Sequence, residues 1–345
     1  MLIDTHAHLN FDTFKGDFDE IIERALKNDV WMINIGTNYE TSKKAIEIAE
    51  GYKKGVYPHT NRGLRSAQKN KIRVLSGVGV YAAIGLHPIN LDTGLVKIQK
   101  SKPSTKGGKN QNDLEVPRPE VGDCGAGNLK FKNLEDILEE SFDYEKYKNL
   151  AKSKKVVAIG EVGLDYYWRP KTTRKKELFK QKQKELLLEQ LNLAKELNLP
   201  VVFHCRMAHQ DLLEVLKSEI RNPKSETNPK SQIQNLKLRG VIHCFTGNWE
   251  QAKKFMDMGF YLGFNGIIFK LDLDEIIKKT PLNKILIETD CPYLSPPQFE
   301  DKRNEPLCVE YVARRIAEIK NVSFEEVAEK TTENAVKLFN FSKRS

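Results

Sequence analysis

Short apolar runs that alternate with longer amphipathic stretches are the most regular feature of the sequence. The runs are rich in Val and Ile, are too short for helices, and are continuous rather than alternating, which is typical of parallel strands buried on both faces. Eight strands are predicted in this way: Leu2–Thr5, Val30–Gly36, Val80–Gly85, Val156–Gly160, Pro200–Phe203, Gly240–Ile242, Phe260–Gly263 and Lys284–Glu288.

Helical periodicity occupies several intervals between these strands. In residues 18–27 the apolar side chains recur at 18, 21, 22, 25 and 26, which gives one apolar helix face. Further helices are predicted at Leu178–Leu197, Gln251–Met258, Leu273–Lys279, Cys308–Lys320 and Phe324–Phe339. Repeated strand–helix alternation predicts an α/β fold, a TIM-type (β/α)8 barrel, with a doubly wound open sheet as the alternative.

Three polar stretches interrupt this rhythm, at residues 53–73, 94–145 and 221–237. Loops of this length in a compact domain are usually lids, binding loops or inserted segments. We therefore predict a single domain over residues 1–345, a barrel with polar insertions at these three places.

Composition narrows the class of protein. The sequence contains no run of about 18 apolar residues, and its first residues lack a basic start followed by an apolar stretch, so neither a membrane span nor a signal peptide is predicted. Five Cys without a CxxC pair indicate reduced thiols and a cytoplasmic location.

The net charge of +9 suggests a polyanionic partner, but its distribution weakens that argument. Residues 53–73 hold seven basic residues and no acidic one, and residues 97–112 hold five Lys, whereas residues 113–145 hold ten acidic residues against three basic ones. The excess lies in the insertions. It is compatible with loops that steer a polyanion and with loops that are merely solvated.

Metal-binding side chains recur at the carboxyl ends of the predicted strands. His6 and His8 are two residues apart on the first strand and therefore project from one face, which Asp4 shares. The other candidates follow the fourth, fifth, sixth and eighth strands: Glu161, His204, His243 and Asp290. Each residue alone is more often structural, but in a barrel all six would meet at one mouth, where catalysis takes place.

This set has enough donors for two divalent ions. His6, His8 and Asp290 would hold one ion, His204 and His243 the other, and Glu161 would bridge them. Imidazole ligands favour Zn²⁺ or Mn²⁺, and the carboxylates leave Mg²⁺ open. Asp290 is the predicted general base for a metal-activated water, with Glu161 as the second catalytic residue.

Two further features belong to the same strand ends. Cys205, Cys244 and Cys291 each follow a candidate ligand by one residue, so they are predicted to point away from the site as buried apolar side chains. Gly160 and Gly163 flank Glu161 and are expected to let the backbone and a metal approach closely.

Seven short motifs occur along the chain, and five of them contain the candidate ligands. They are residues 3–9 (IDTHAHL), 85–88 (GLHP), 160–167 (GEVGLDYY), 204–206 (HCR), 243–247 (HCFTG), 288–294 (ETDCPYL) and 303–306 (RNEP). In order and spacing they resemble the motifs of the TatD-type metal-dependent hydrolases, described as deoxyribonucleases, within the amidohydrolase-like barrels. The resemblance implies a barrel, a divalent-metal site built from the six residues, and hydrolysis of phosphodiester bonds, typically from the 3′ end of DNA. The family usually has an acidic residue where this chain has Met207.

Substrate contacts are predicted at Arg206, His87 and Arg303. Arg suits bidentate contact with phosphate, and His87 would bind the phosphate or the leaving group. Structural ion pairs and a structural histidine are the alternatives. Tyr166 and Tyr167 either stack on a base or pack beneath their loop, and His209 is given no role.

The predicted function is that of a 3′–5′ exodeoxyribonuclease acting on single-stranded DNA or on 3′ ends. A hydrolase of amides, esters or lactones on the same barrel, such as a D-aminoacyl-tRNA deacylase, is the alternative. Many amidohydrolase barrels carry a carbamylated Lys on strand four, and Glu161 in that place favours the nuclease. A non-catalytic nucleic-acid-binding barrel is the third hypothesis, and the presence of all six candidate ligands disfavours it.

Overall fold

The computed structural model describes residues 1–52, 79–93, 140–167, 170, 172–221 and 238–341. Eight parallel strands in these ranges form one sheet in sequential order. They are β1 (Leu2–Ala7), β2 (Val30–Ile35), β3 (Val80–Ile84), β4 (Val156–Asp165), β5 (Val201–Arg206), β6 (Gly240–Ile242), β7 (Tyr261–Phe264) and β8 (Ile285–Ile287).

The first and last strands close the sheet into a barrel. Ala7 forms a parallel bridge with Cys291, just after β8. The backbone N–H of Asp290 donates to the carbonyl oxygen of His6 at 2.8 Å. A doubly wound sheet would leave two open edges, so these bonds exclude that alternative and confirm the TIM-type barrel.

Helices follow the strands and cover the outside of the barrel. They are α1 (Phe18–Lys27), α2 (Tyr39–Gly51), α3 (Tyr144–Leu150), α4 (Thr173–Glu196), α5 (His209–Arg221), α6 (Trp249–Asp257), α7 (Asp274–Lys279), α8 (Val309–Lys320) and α9 (Phe324–Phe339). The helices α1 and α9 match their predictions residue for residue, whereas α2, α3 and α5 were not predicted. Within the described ranges, no helix is long and apolar enough to cross a membrane.

Burial on both faces explains the continuous apolar runs. Every residue of β1, β2, β3 and β4 is buried, because side chains alternate between the barrel interior and the layer beneath the helices. The α9 helix begins where the Ser323 hydroxyl accepts a hydrogen bond from the backbone N–H of Glu326. Asn334 on α9 donates to the carbonyl oxygens of Leu282 and Ile285 and so ties this helix to the start of β8.

The β4 strand is longer than predicted and continues to Asp165. Glu161 therefore lies inside the strand rather than after it. The pairing of β4 with β5 shifts register between Ile159 and Val162, and such irregularities re-aim side chains. Glu161 lies between these two residues, within the segment where the register shifts.

Gly163 is required by contact with the neighbouring strand and not by a metal. Its φ is 153°, and a Cβ at this position would stand 2.0 Å from the carbonyl oxygen of His204 on β5. Only glycine adopts this conformation at this distance without strain.

The three predicted insertions fall largely outside the described residues. The end of the second one packs onto the barrel: the backbone N–H of Glu140 donates to the carbonyl oxygen of Asn90 at 2.8 Å, and its carboxylate accepts from the Tyr147 hydroxyl at 2.6 Å. The single-domain assignment and the insertion boundaries stay predictions.

We expect Gly163→Ala to lower the free energy of unfolding by about 2–4 kcal/mol, because the added Cβ forces β4 and β5 apart. Urea denaturation measures the effect. The matched control is Gly51→Ala at the end of α2, where a Cβ meets open space and stability should hold or rise by up to about 1 kcal/mol. Equal stability of the two variants would contradict this account of Gly163.

Candidate metal centre

The six candidate ligands lie together at the carboxyl ends of the strands. The Nε2 atoms of His6 and His8 are 3.1 Å apart, as expected for two residues on one face of β1. His6 Nε2 lies 3.5 Å from Glu161 Oε2. His8 Nε2 lies 3.4 Å from Asp290 Oδ1. One end of the cluster therefore contains two imidazoles and oxygens from two carboxylates.

The other carboxylate oxygen of Glu161 faces a second set of imidazoles. Its Oε1 lies 2.7 Å from His204 Nδ1, 3.6 Å from His243 Nε2 and 3.4 Å from His87 Nε2. A single buried carboxylate thus separates two groups of nitrogen donors. Groups of three donor atoms within metal-ligand reach include His6 with His8 and Glu161, and Glu161 with His204 and His243.

Outer partners fix the orientation of two of these rings. His8 Nδ1 lies 3.0 Å from the carbonyl oxygen of Ile35, so this nitrogen carries a proton and donates. His243 Nδ1 lies 2.8 Å from Glu288 Oε1, an ion-pair distance at which the negative oxygen favours a proton on this nitrogen. In both rings the Nε2 lone pair is left to face the centre of the site, which is the arrangement that metal-binding histidines show.

The electrostatics of the site balance buried negative and positive groups. Burial disfavours the ionised carboxylate of Glu161, but electrostatic attraction to His87 and hydrogen bonds from His204 and His6 hold its pKa well below the usual value. Burial also disfavours a charged His204, yet hydrogen bonds to Asp165 and Glu161 raise its pKa to about 9. Protons on these imidazoles and metal ions compete for the same lone pairs.

His243 and Asp290 form a second balanced pair. Burial opposes the charged imidazole, but attraction to Glu288 and Asp290 raises the pKa of His243 to about 10. Burial would raise the pKa of Asp290, but attraction to the charge of His243 lowers it. Asp290 is therefore an ionised carboxylate at neutral pH.

His87 lies at the same mouth in a different role from the six. Its Nδ1 accepts a hydrogen bond from the backbone N–H of Ile89 at 3.0 Å, so the neutral ring carries its proton on Nε2. Burial and the nearby charge of His204 lower the pKa of His87, which keeps the ring neutral. His87 therefore directs an N–H donor, rather than a lone pair, toward Glu161.

The structure distinguishes the two predicted arginine contacts. Arg206 ends β5, and its Cζ lies 3.7 Å from the centre of the Tyr167 ring. Burial would raise the pKa of Asp165, but the hydrogen bond and charge of His204, followed by the charge of Arg206, lower it. Arg303 instead donates to the carbonyl oxygen of Thr13 and to Asp17, which favours the structural ion pair. The phosphate contact of Arg303 stays a prediction.

The aromatic residues after β4 also separate. Tyr166 is buried and its hydroxyl donates to Asp211, which favours the prediction that this side chain packs beneath its loop. Tyr167 stacks on Arg206, and Trp168 lies outside the described residues.

Sequence reasoning missed the role of Glu288. This carboxylate is fully buried and accepts from the backbone N–H of Cys244 and the Asn265 side chain in addition to its contact with His243. A charged residue that directly follows the apolar run of β8 was the available signal. Asp165 contacts His204 Nε2 at 3.1 Å and accepts from the Tyr167 backbone N–H, so it both orients a candidate ligand and fixes the loop after β4.

Asp4 acts on the backbone rather than on an imidazole. Its carboxylate accepts from the backbone N–H groups of His6 and Thr289 and from the Thr289 hydroxyl, and so positions the segment that carries Asp290.

The cysteines follow the prediction in part: Cys205 and Cys291 are buried, whereas Cys244 is half-buried. Among the described residues, no candidate ligand group contains a cysteine.

We expect Glu288→Gln to raise the dissociation constant for Zn²⁺ or Mn²⁺ about 10–100-fold, because an amide holds the His243 Nδ1 proton less strongly than a carboxylate. Isothermal titration of the purified protein with either metal measures the change. The exposed Glu300→Gln is the matched control and should leave the affinity unchanged. Unaltered affinity in a folded Glu288→Gln protein would refute the orienting role.

Comparison with known proteins agrees with this geometry. The family model described as TatD related DNase matches residues 3–340. An uncharacterized metal-dependent hydrolase, YabD of Bacillus subtilis, is 35% identical over 98% of this chain and 99% of its own length. Deoxyribonuclease TATDN3 of Homo sapiens is 27% identical over 98% of this chain and 94% of its own.

A solved structure has the same architecture. YJJV, a TatD homolog from Escherichia coli, superimposes with a TM-score of 0.65 and 25% identity and covers 98% of both chains. The family match spans nearly the whole chain, and buried His, Asp and Glu donors converge where such a hydrolase needs them. The chain therefore belongs to the TatD family of metal-dependent hydrolases.

Proposed function

We propose that this hydrolase cleaves phosphodiester bonds and removes nucleotides from the 3′ ends of DNA. The observation that carries the proposal is the division of the Glu161 carboxylate, whose Oε2 faces His6 and His8 and whose Oε1 faces His204 and His243. Phosphodiester hydrolysis is a reaction for which two adjacent cations are suited. The names of the family model and of TATDN3 support DNA as the substrate.

In this proposal the six residues divide between two divalent ions. His6, His8 and Asp290 would hold one ion, His204 and His243 would hold the other, and Glu161 would be shared between them. When bound, such ions lower the pKa of water and neutralise charge on the attacking and leaving oxygens of the phosphate. The fit rests on the tautomers of His8 and His243, whose Nε2 lone pairs face a buried carboxylate and require a proton or a cation between them. The imidazole-rich set favours Zn²⁺ or Mn²⁺ over Mg²⁺.

Asp290 is the proposed general base. Its side chain is 15% exposed, against 6% for Glu161, so it meets the solvent side of the site where water enters. Its lowered pKa keeps it ready to accept a proton. Glu161, the second catalytic residue of the proposal, stays buried among five imidazoles and acts by holding charge in place.

Two side chains are placed to bind the phosphate. His87 presents its Nε2–H beside Glu161, where it can donate to a phosphate oxygen or to the leaving group. Arg206 brings a guanidinium to the end of β5, oriented by its stacking on Tyr167. Arg303 holds the loop of Thr13 and Asp17, and its contact with the phosphate is the third substrate contact of the proposal.

The cytoplasmic location predicted from the thiols is part of the proposal. Cys205, Cys244, Cys291 and Cys308 are free in the structure, which is usual for proteins of a reducing compartment.

We expect the purified protein to release mononucleotides from single-stranded DNA in the presence of Mg²⁺, Mn²⁺ or Zn²⁺, and EDTA to abolish the reaction. Chromatography of the products measures it, with RNA, an acyl-tRNA and a simple lactone assayed in parallel. The nuclease proposal fails if DNA stays intact under all three metals while an ester, amide or lactone is cleaved.

We expect Glu161→Gln to reduce metal content and DNA cleavage together, the latter by at least about 100-fold, because an amide cannot supply the negative charge shared by two cations. Elemental analysis and initial rates measure the two effects. The exposed Glu177→Gln on α4 is the control. Full metal occupancy and normal turnover in Glu161→Gln would show that this residue bridges nothing.

A further inference from the structure

A cavity of about 490 Å³ lies beside the metal centre, at the carboxyl ends of β5 and β6. The chain leads from the metal centre into the walls of this cavity, which include the residues three to five positions after His204 and the residue three positions after His243. The walls include Met207, His209, Thr246, Leu273 and Ile276. The volume is in the range of pockets that bind small organic molecules.

His209 is the buried polar group of this cavity. Its side chain is 9% exposed, and its ring packs edge-to-face against Phe245 with the ring centres 5.7 Å apart. Its Nε2 has no hydrogen-bond partner in the part of the chain that the structure describes. Buried polar atoms are nearly always paired, so an unpaired imidazole nitrogen on a cavity wall indicates that a ligand supplies the partner.

The edge of the ring that carries Nε2 lies beside a second wall residue of the cavity. A Cβ placed on Gly247, another wall residue, would stand 3.0 Å from His209 Cδ2, the carbon bonded to Nε2. Burial and the charge of His204 lower the pKa of His209 to about 4, so the ring is neutral. A neutral imidazole offers one hydrogen bond without a charge.

The charges of the walls disfavour an anion. Among the described residues that line the cavity are one cation, Lys180, and two carboxylates, Asp211 and Asp272. The carboxylate of Asp211 is already paired with Lys184 and with the Tyr166 hydroxyl, each at 2.8 Å. The remaining walls combine apolar side chains with hydroxyl and amide groups, which suits a neutral heterocycle with hydrogen-bonding edges.

We propose that this cavity is a base-binding subsite, which takes the nucleobase of the nucleotide attached to the scissile phosphate. His209 Nε2 hydrogen-bonds to the edge of the base, and Met207 and Ile276 pack on it. The inference rests on the proposed function, since Arg206 at the phosphate directly precedes Met207 at the base, a separation that one nucleotide spans.

The direct test is a titration of the full chain with deoxyadenosine and with deoxycytidine, which carry no phosphate and so bind without the metal centre. We expect binding that His209→Phe weakens about tenfold, because the ring packing stays and one hydrogen bond is lost. The conservative His209→Gln should restore part of it. Lys217→Ala, on the exposed side of the same helix, should change nothing, and Ile276→Trp should abolish binding by filling the cavity from the opposite wall.

The second test compares DNA that ends in a normal nucleotide with DNA that ends in an abasic one. We expect His209→Phe to lower kcat/KM about tenfold on the normal end and to leave the abasic end unchanged. Thermal melting of each variant reports folding, and Ile276→Trp provides the same comparison if His209→Phe does not fold.

The subsite is overturned if the wild-type protein binds neither nucleoside, if inorganic phosphate binds and His209→Phe removes that binding instead, or if His209→Phe lowers cleavage of both ends equally. If the wild-type protein cleaves no DNA, the proposed function fails, and the nucleoside titration alone then supports or overturns the subsite.

Discussion

A carboxylate inside a protein loses its hydration, and positive charge or hydrogen-bond donors must replace it. Glu161 is 5% exposed and lies in the middle of β4, so imidazoles from the neighbouring strands have to surround it. His6, His204 and His243 come from three different strands and all approach its two oxygens within 3.6 Å. The barrel has to hold these strands in fixed register, because a shift of one residue would turn each imidazole away.

The closure of the barrel places the last member of this cluster. Asp4 accepts hydrogen bonds from the backbone and the hydroxyl of Thr289, and the next residue, Asp290, donates its backbone N–H to His6. Asp290 has a φ of 58°, a conformation that residues other than glycine seldom adopt, and its carboxylate is thereby turned toward His8. The bonds that close the sheet therefore also set the geometry of the site.

A second layer of buried groups decides what the first layer can do. Glu288 and the Ile35 carbonyl oxygen hold the outer protons of His243 and His8, so these rings present lone pairs to the centre. The backbone N–H of Ile89 instead donates to Nδ1 of His87, so the proton of this ring lies on Nε2 and faces inward. Histidines at one mouth thus differ in chemistry because their partners differ. Ile35 and Glu288 are distant in the chain from the rings that they contact, whereas Ile89 follows His87 by two residues.

Periodicity alone determined much of this protein. Continuous Val- and Ile-rich runs identified eight strands, and α1 was located to the residue, because burial on two faces or on one face leaves a pattern that local sequence records. The positions of His6, His8, Glu161, His204, His243 and Asp290 after apolar runs were likewise visible. Only the tertiary structure decided that Glu161 lies inside β4, that Glu288 orients His243, that Arg303 holds a loop, and that His209 lines a cavity. Each of these depends on contacts between residues distant in the chain, and such contacts leave no periodic trace in the sequence.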